Sequence, residues 1–140
     1  MSLIVDTSGV IASMNRNDAA HRSVSAALQA EAGPLILPVL VIAEVDYLAL
    51  RYLGQRAEET FLEDVSQGAF AREELRDEDL DRGLEIIRRY SSHKIGIVDA
   101  TLVALAERLN IDRVLTLDFR HFRTLKIRDR RPFTIVPADT

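Results

Sequence analysis

Short apolar runs alternate along this chain with longer stretches of helical period. Leu3–Val5 is a compact apolar run that reads as a strand, and Leu35-Ile36-Leu37 reads as a second. His21–Glu31 has helical spacing and is stopped by Gly33-Pro34. Past Pro38, Val39–Leu53 predicts a helix ended by Gly54, Ala57–Ser66 predicts another before Gly68, and Phe70 with its neighbours predicts a short strand. Asp77–Tyr90 predicts a helix with Asp77 as N-cap, acids in the first turn and Arg88-Arg89 in the last, the arrangement the macrodipole favours. Leu80, Leu84 and Ile87 are its expected buried stripe. Val98–Leu109 is a further helix stopped at Asn110, and Val114–Leu117 and Phe133–Val136 are β-like runs. Strands alternating with helices imply βαβ units, so the expected fold class is α/β, with a mainly parallel central sheet of four or five strands flanked by helices.

A length of 140 residues fits a single domain over residues 1–140. Such a domain buries about two-thirds of its unfolded surface and needs no covalent staple. The absence of cysteine removes disulfides, thiolate metal sites and cysteine nucleophiles together. No stretch approaches the roughly 18 apolar residues of a membrane span, and the opening Met1-Ser2-Leu3-Ile4-Val5-Asp6 has no basic region of the signal-peptide kind. The expectation is a cytoplasmic protein without a membrane partner.

Most of the 22 acids are unremarkable, and eleven of them fall in the polar segments 57–66 and 73–85. Four others interrupt apolar surroundings. Asp6 follows Leu3-Ile4-Val5 and Asp118 follows Val114–Leu117, so both stand just past the carboxyl ends of strands, where open α/β sheets form their crevice. Asp99 opens an apolar helix, where exposed backbone N–H groups favour a carboxylate. Glu44 lies about 1.5 turns into the helix after the second strand and reaches the same edge. Asp112, ahead of its strand, falls roughly 17 Å away at the opposite edge. Four carboxylates within ~5 Å repel by roughly 3 kcal/mol per pair at an effective dielectric near 20, more in total than a domain stable by ~5–15 kcal/mol tolerates. Protonation or a divalent cation must compensate. An oxygen-only donor set, with none of the three histidines expected among it, favours a hard ion, Mg²⁺ or Mn²⁺. Carboxylate-held Mg²⁺ is suited to phosphodiester cleavage.

These residues resemble the PIN-domain family, and within it the VapC-like ribonuclease toxins of type II toxin–antitoxin systems. The likeness spans essentially the whole chain. It is carried by Ile4-Val5-Asp6-Thr7-Ser8, Val41-Ile42-Ala43-Glu44-Val45, Gly96-Ile97-Val98-Asp99-Ala100 and Leu115-Thr116-Leu117-Asp118 with Arg120-His121-Phe122. Each motif is short, and the specificity comes from four in order. The resemblance implies a PIN-like three-layer sandwich and a Mg²⁺-dependent endoribonuclease, the toxin of a pair. It implies metal and catalytic roles for Asp6, Glu44, Asp99 and Asp118, with Asp6 and Asp99 the principal ligands. Ser8 and Thr116 then orient the carboxylates, and Thr7 is expected to cap the helix that follows. A homodimer and an antitoxin whose tail blocks the acidic groove through a basic side chain are further implications.

The net charge of −4 argues against a nucleic-acid partner on the sum, but the distribution is uneven. Six of the twelve residues from Arg120 to Arg131 are basic, against one acid. Arg120, Arg123, Lys126 and Arg128 are the expected RNA contacts, through phosphates rather than bases, with Arg130, Arg131, Arg16 and Arg22 further from the argument. His21, His93 and His121 follow no metal spacing and read as surface or capping residues, His121 alone doubling as an RNA contact. Tyr47, Tyr52 and Tyr90 read as packing residues, and Leu40, Val41, Val45 and Leu48 suggest a helix apolar enough to serve a dimer interface as well as the core. A phosphatase using Asp6 as nucleophile fits poorly, since Ser8 stands where a second aspartate is wanted. The alternatives to a toxin are a non-toxin PIN nuclease and a catalytically silent RNA- or protein-binding PIN module, against which the retention of all four acids argues.

Overall fold

Alternation along the central strands builds two cores at once. In the computed structural model, which describes residues 2–140 and so leaves Met1 outside, β1 (Leu3–Val5) points Leu3 and Val5 to one side and Ile4 to the other. The same division holds for Val114 against Leu115 in β4 (Arg113–Leu115) and Ile135 against Val136 in β7 (Thr134–Val136). β2 (Leu35–Pro38) and β3 (Ala71–Glu73) complete an all-parallel five-stranded sheet in the order β3-β2-β1-β4-β7. Strands buried on both faces read as continuous apolar runs, as β1 does, whereas β3 at the sheet edge is polar and largely exposed.

Helices cover both faces. α1 (Thr7–Met14), α2 (His21–Ala30), α3 (Val39–Tyr52) and α4 (Gln55–Ser66) bring Val10, Val24, Val41, Val45, Phe61 and Val65 to the core containing Leu3 and Val5. α5 (Asp77–Arg89) and α6 (Ile97–Leu109) bring Ile86, Leu102, Val103 and Leu105 to the core on the opposite face. The short helix α7 (Phe119–Phe122) and the hairpin of β5 (Lys126–Ile127) with β6 (Arg131–Pro132) link β4 to β7. No helix among the described residues is long and apolar enough to cross a membrane.

Several local expectations are corrected. The stripe of α5 is shifted: Leu80 and Leu84 are 47% and 44% exposed, while Asp79, Gly83 and Ile86 face the protein. Gly83 lets α5 lie so close to α6 that a Cβ there meets Thr101 Cγ2 at 3.0 Å. Buried Asp79 accepts two hydrogen bonds from Arg108 of α6, and its carboxyl is held below the ordinary range by Arg108, against the opposing cost of burial. The N-cap of α5 is Arg76 rather than Asp77, its N–H donating to Asp79 at 3.0 Å. In α3, Val41 and Val45 lie wholly in the core, whereas Tyr47 and Tyr52 stand exposed instead of packing.

β4 is shorter than the apolar run Val114–Leu117 because side chains capture the backbone beyond Leu115. The Leu117 N–H donates to Ser8 Oγ at 2.8 Å and the Asp118 N–H to Thr116 Oγ1 at 2.9 Å. Gly9 makes this close approach possible: a Cβ on it stands 2.8 Å from both the carbonyl oxygen and Cγ of Leu115. Gly9→Ala is therefore expected to destabilise the fold by about 1–3 kcal/mol, because the backbone of β4 cannot yield cheaply. Gly83→Ala, opposed by one threonine methyl and helped by helix propensity worth up to ~1 kcal/mol, should be near neutral. Urea unfolding of the two variants beside wild type checks the ordering, and equal costs would contradict it.

Candidate active site

The strand order reverses direction at β1 and β4: from β1 the chain winds outward through β2 and β3, and from β4 it winds the other way to β7. A crevice opens at such a switch point, outside the carboxyl ends of the strands. Asp6 follows β1 at the N-cap position of α1 without a side-chain cap bond; Asp118 follows β4 and caps α7, its Oδ1 accepting the His121 N–H at 3.2 Å. Asp99 sits in the first turn of α6, and Glu44 comes from α3. All four line one open cleft of roughly 740 Å³, together with Ser8, Asp18, His121 and an apolar wall that includes Ile11, Leu48, Ile97 and Leu117.

Each acid is held from behind. Thr116 Oγ1 donates to Asp6 Oδ2 at 2.7 Å, and Ser8 Oγ donates to the same oxygen at 3.3 Å. Ser8 and Thr116 also contact each other at 3.1 Å. Thr7 does not cap α1; its hydroxyl donates to Glu44 Oε1, tying the glutamate of α3 to the end of β1. Asp6 is 3% exposed. Its carboxyl is pushed up to about 7, chiefly by burial and then by the negative charge of Asp99, with Thr116 opposing. Burial also raises Asp99, opposed by its contact with His121, while the charge of Asp118 adds to the rise.

His121 is the residue the sequence reading misplaced. Its Nδ1 lies 2.6 Å from Asp99 Oδ2 and 3.1 Å from Asp118 Oδ2, among the acids rather than on the surface. The signal available was Asp118-x-x-His121, the spacing of a helix cap to its third residue, which turns both side chains to one side. Asp18, in the link between α1 and α2, was also missed; it lines the cleft while its Oδ1 caps the Ala20 N–H at 2.8 Å.

The expected basic rim is dispersed. None of Arg120, Arg123, Lys126 or Arg128 lines the cleft. Arg123 forms a two-pronged pair with Asp139 at 2.6 and 2.8 Å, which draws the Asp139 carboxyl down to about 2. Lys126 donates to the Arg123 carbonyl, and Arg128 bonds through backbone and side chain to Glu107, toward the other end of α6 from Asp99. Arg120 stays on α7 beside the acids, with no ion pair among the described residues.

The match to known proteins follows this architecture. The family model described as PIN domain covers residues 3–127. The chain belongs to the PIN-domain family. It is 33% identical to Ribonuclease VapC26 of Mycobacterium tuberculosis, over 96% of this chain and 100% of that protein. Its fold is similar to the crystal structure of M. tuberculosis VapC20, described as a Sarcin-Ricin loop cleaving toxin, with a TM-score of 0.79, 21% identity, and coverage of 84% of this chain and 90% of that one. A toxin–antitoxin complex from Klebsiella pneumoniae is similar at a TM-score of 0.66 and 19% identity, over 86% and 89% of the two chains. The motifs that carry the PIN likeness are the segments that deliver the acids to the cleft.

The donor set of this PIN domain fits a divalent cation. Asp6 is buried beside a second acid, has no basic side chain among its hydrogen-bond partners, and its carboxyl is pushed up to about 7. Asp99, Asp118 and His121 offer ligand atoms that all lie within 4.8 Å of one another. A testable consequence concerns pH. A carboxyl whose folded value is near 7 against 3.8 unfolded binds a proton in the folded state that the unfolded chain has lost, so stability is greatest at the acid end and falls as pH rises between those values. The loss approaches ~1 kcal/mol per pH unit for a fully buried group. Asp6→Asn should remove this slope and stabilise the metal-free protein near neutral pH, while abolishing the gain in melting temperature that Mn²⁺ or Mg²⁺ gives wild type. Urea titrations in EDTA from about pH 4 to about pH 8 measure the difference between the two proteins. A difference that does not change with pH refutes the assignment.

Proposed function

We propose that this chain is a divalent-metal-dependent endoribonuclease that hydrolyses RNA phosphodiester bonds and acts as the toxin of a toxin–antitoxin pair. The observation that carries the reading is the delivery of Asp6, Glu44, Asp99 and Asp118 from four separate segments to one cleft at the switch point of a PIN sheet. Likeness to a ribonuclease over nearly the full chain supports RNA as the substrate.

Asp6 and Asp99 are the principal holders of the cation in this reading, with Glu44 and Asp118 completing the site. When bound, a divalent cation there offsets charge on a phosphoryl oxygen and lowers the pKa of an attacking water. Thr116 and Ser8 fix the orientation of the Asp6 carboxylate, and Thr7 fixes that of Glu44. The apolar wall of Ile11, Leu48, Ile97 and Leu117 lowers the local dielectric and strengthens each of these electrostatic contacts. Among the expected RNA contacts, Arg120 is the one assigned to phosphate, since Arg123 and Arg128 are engaged with Asp139 and Glu107.

An antitoxin partner, pairing of two copies and action in the cytoplasm belong to the same proposal. The exposed Tyr47, Leu50 and Tyr52 on α3 support an association surface. We also assign the whole of residues 1–140 to one functional domain: β7 lies beyond the matched residues 3–127 yet pairs with β4 in the sheet.

Asp6→Asn and Asp99→Asn are each expected to abolish Mg²⁺- or Mn²⁺-dependent cleavage of RNA, a loss of roughly a thousandfold or more, with circular dichroism unchanged. Growth arrest on expression, relieved by co-expression of the product of the neighbouring gene, checks the toxin role. Undiminished cleavage by both variants would refute the site assignment, and harmless expression with active nuclease would favour a non-toxin PIN enzyme.

A further inference from the structure

His121 stands where an oxygen-only metal site should have no nitrogen. Its Nδ1, the ring atom nearest the acids, faces Asp99 Oδ2 at 2.6 Å and Asp118 Oδ2 at 3.1 Å. Two neighbouring donors on an octahedral ion with bonds of about 2.1 Å stand about 3 Å apart, so these separations are of the size expected for donors that share one ion. The ring is also held in place. Asp118 caps the His121 N–H with Oδ1 while its Oδ2 meets the ring, and the adjoining Phe122 is buried edge-on against Phe133 at 5.5 Å. A side chain fixed at both backbone and ring approaches these two carboxylates at little conformational cost.

We propose that His121 is a ligand of the divalent cation, placing Nδ1 beside the Asp99 and Asp118 carboxylates and giving the site a preference for Mn²⁺ over Mg²⁺. This rests on the reading of the cleft as a cation site and goes beyond it by naming a nitrogen donor and the ion it selects. The chemistry separates the two ions. Mg²⁺ takes oxygen ligands and dehydrates reluctantly, whereas affinity for imidazole rises along the first transition row, on which Mn²⁺ stands. Nδ1 and one carboxylate oxygen from each of Asp99 and Asp118 all lie within 4.8 Å of one another, close enough to share one ion.

The competing account is that His121 only orients the carboxylates by hydrogen bonding. His121→Asn separates the two, because the asparagine amide keeps a hydrogen-bond donor but removes the imidazole. Calorimetric titration of the purified protein with MnCl₂ and with MgCl₂ gives the affinity ratio. Electron spin-echo spectroscopy of the Mn²⁺-loaded protein reports nitrogen bound directly to the ion, and labelling histidine with the heavier nitrogen isotope identifies its source. We expect histidine nitrogen modulation in wild type, its loss in His121→Asn, and a fall in Mn²⁺ affinity of roughly tenfold or more against little change for Mg²⁺. Mn²⁺ bound without histidine nitrogen coupling, or an unchanged Mn²⁺/Mg²⁺ ratio in the variant, would overturn the proposal while leaving the cation site standing. Failure of either ion to bind wild type would overturn the cation site itself. The wild-type spectrum decides the ligand question even if the variant does not fold.

Discussion

Asp6 sits almost out of water at the carboxyl end of the central strand, beside Asp99, with one serine and one threonine hydroxyl as its side-chain partners. A buried carboxylate without a counter-charge is among the costliest things a small domain can hold. Much of the surrounding structure can be understood as what keeps that group in place. The Ser8 hydroxyl that reaches Asp6 also takes the Leu117 N–H, and Thr116 takes the Asp118 N–H. The threads that orient the first acid therefore also end β4 and turn the chain into α7. Gly9 lets α1 press onto Leu115 closely enough for this network to close.

The remaining charges are distributed so that this cost is local. α5 and α6 are tied by two forked pairs, Arg82 with Glu107 and Arg108 with Asp79, which leave no side-chain polar atom buried and unpaired among the described residues. Glu107 and Asp129 extend the first pair to the β5–β6 hairpin. These contacts hold both guanidinium groups toward the end of α6 remote from Asp99. The site keeps an excess of negative charge that no neighbouring arginine neutralises, and that excess is what gives it affinity for a cation.

Much of this was legible in the sequence. Apolar runs located four of the five strands closely, and the acids that interrupt them marked the cleft, since an acid at the end of a buried strand has few places to go. What stayed hidden depended on contacts between distant segments. The face of α5 was misjudged because Leu80 and Leu84 have the right period, whereas Gly83 and Asp79 are chosen by the close approach of α6 and by Arg108. The basic run 120–131 looked like one surface because it is continuous in sequence, but a helix, a hairpin and the pairs to Asp139 and Glu107 send its members to different places. His121 was missed as a companion of the acids because Asp99 lies 22 positions away, and only its spacing from Asp118 gave a local signal.

The dispersal of the basic run changes the electrostatic argument about RNA. With Arg123 and Arg128 engaged elsewhere, the basic run offers fewer free guanidinium groups with which to draw a phosphate backbone toward an acidic cleft. Surface charges separated by more than about 8–10 Å are screened at physiological salt, so distant arginines cannot substitute. On the proposed function, attraction of the scissile phosphate falls to the divalent ion and to Arg120. Cation binding would then be a condition for substrate binding as well as for chemistry, because an acidic cleft repels a phosphate. On the same reading, an inhibitor that presents a positive side chain to Asp6 and Asp99 would compete with the ion for the same carboxylates.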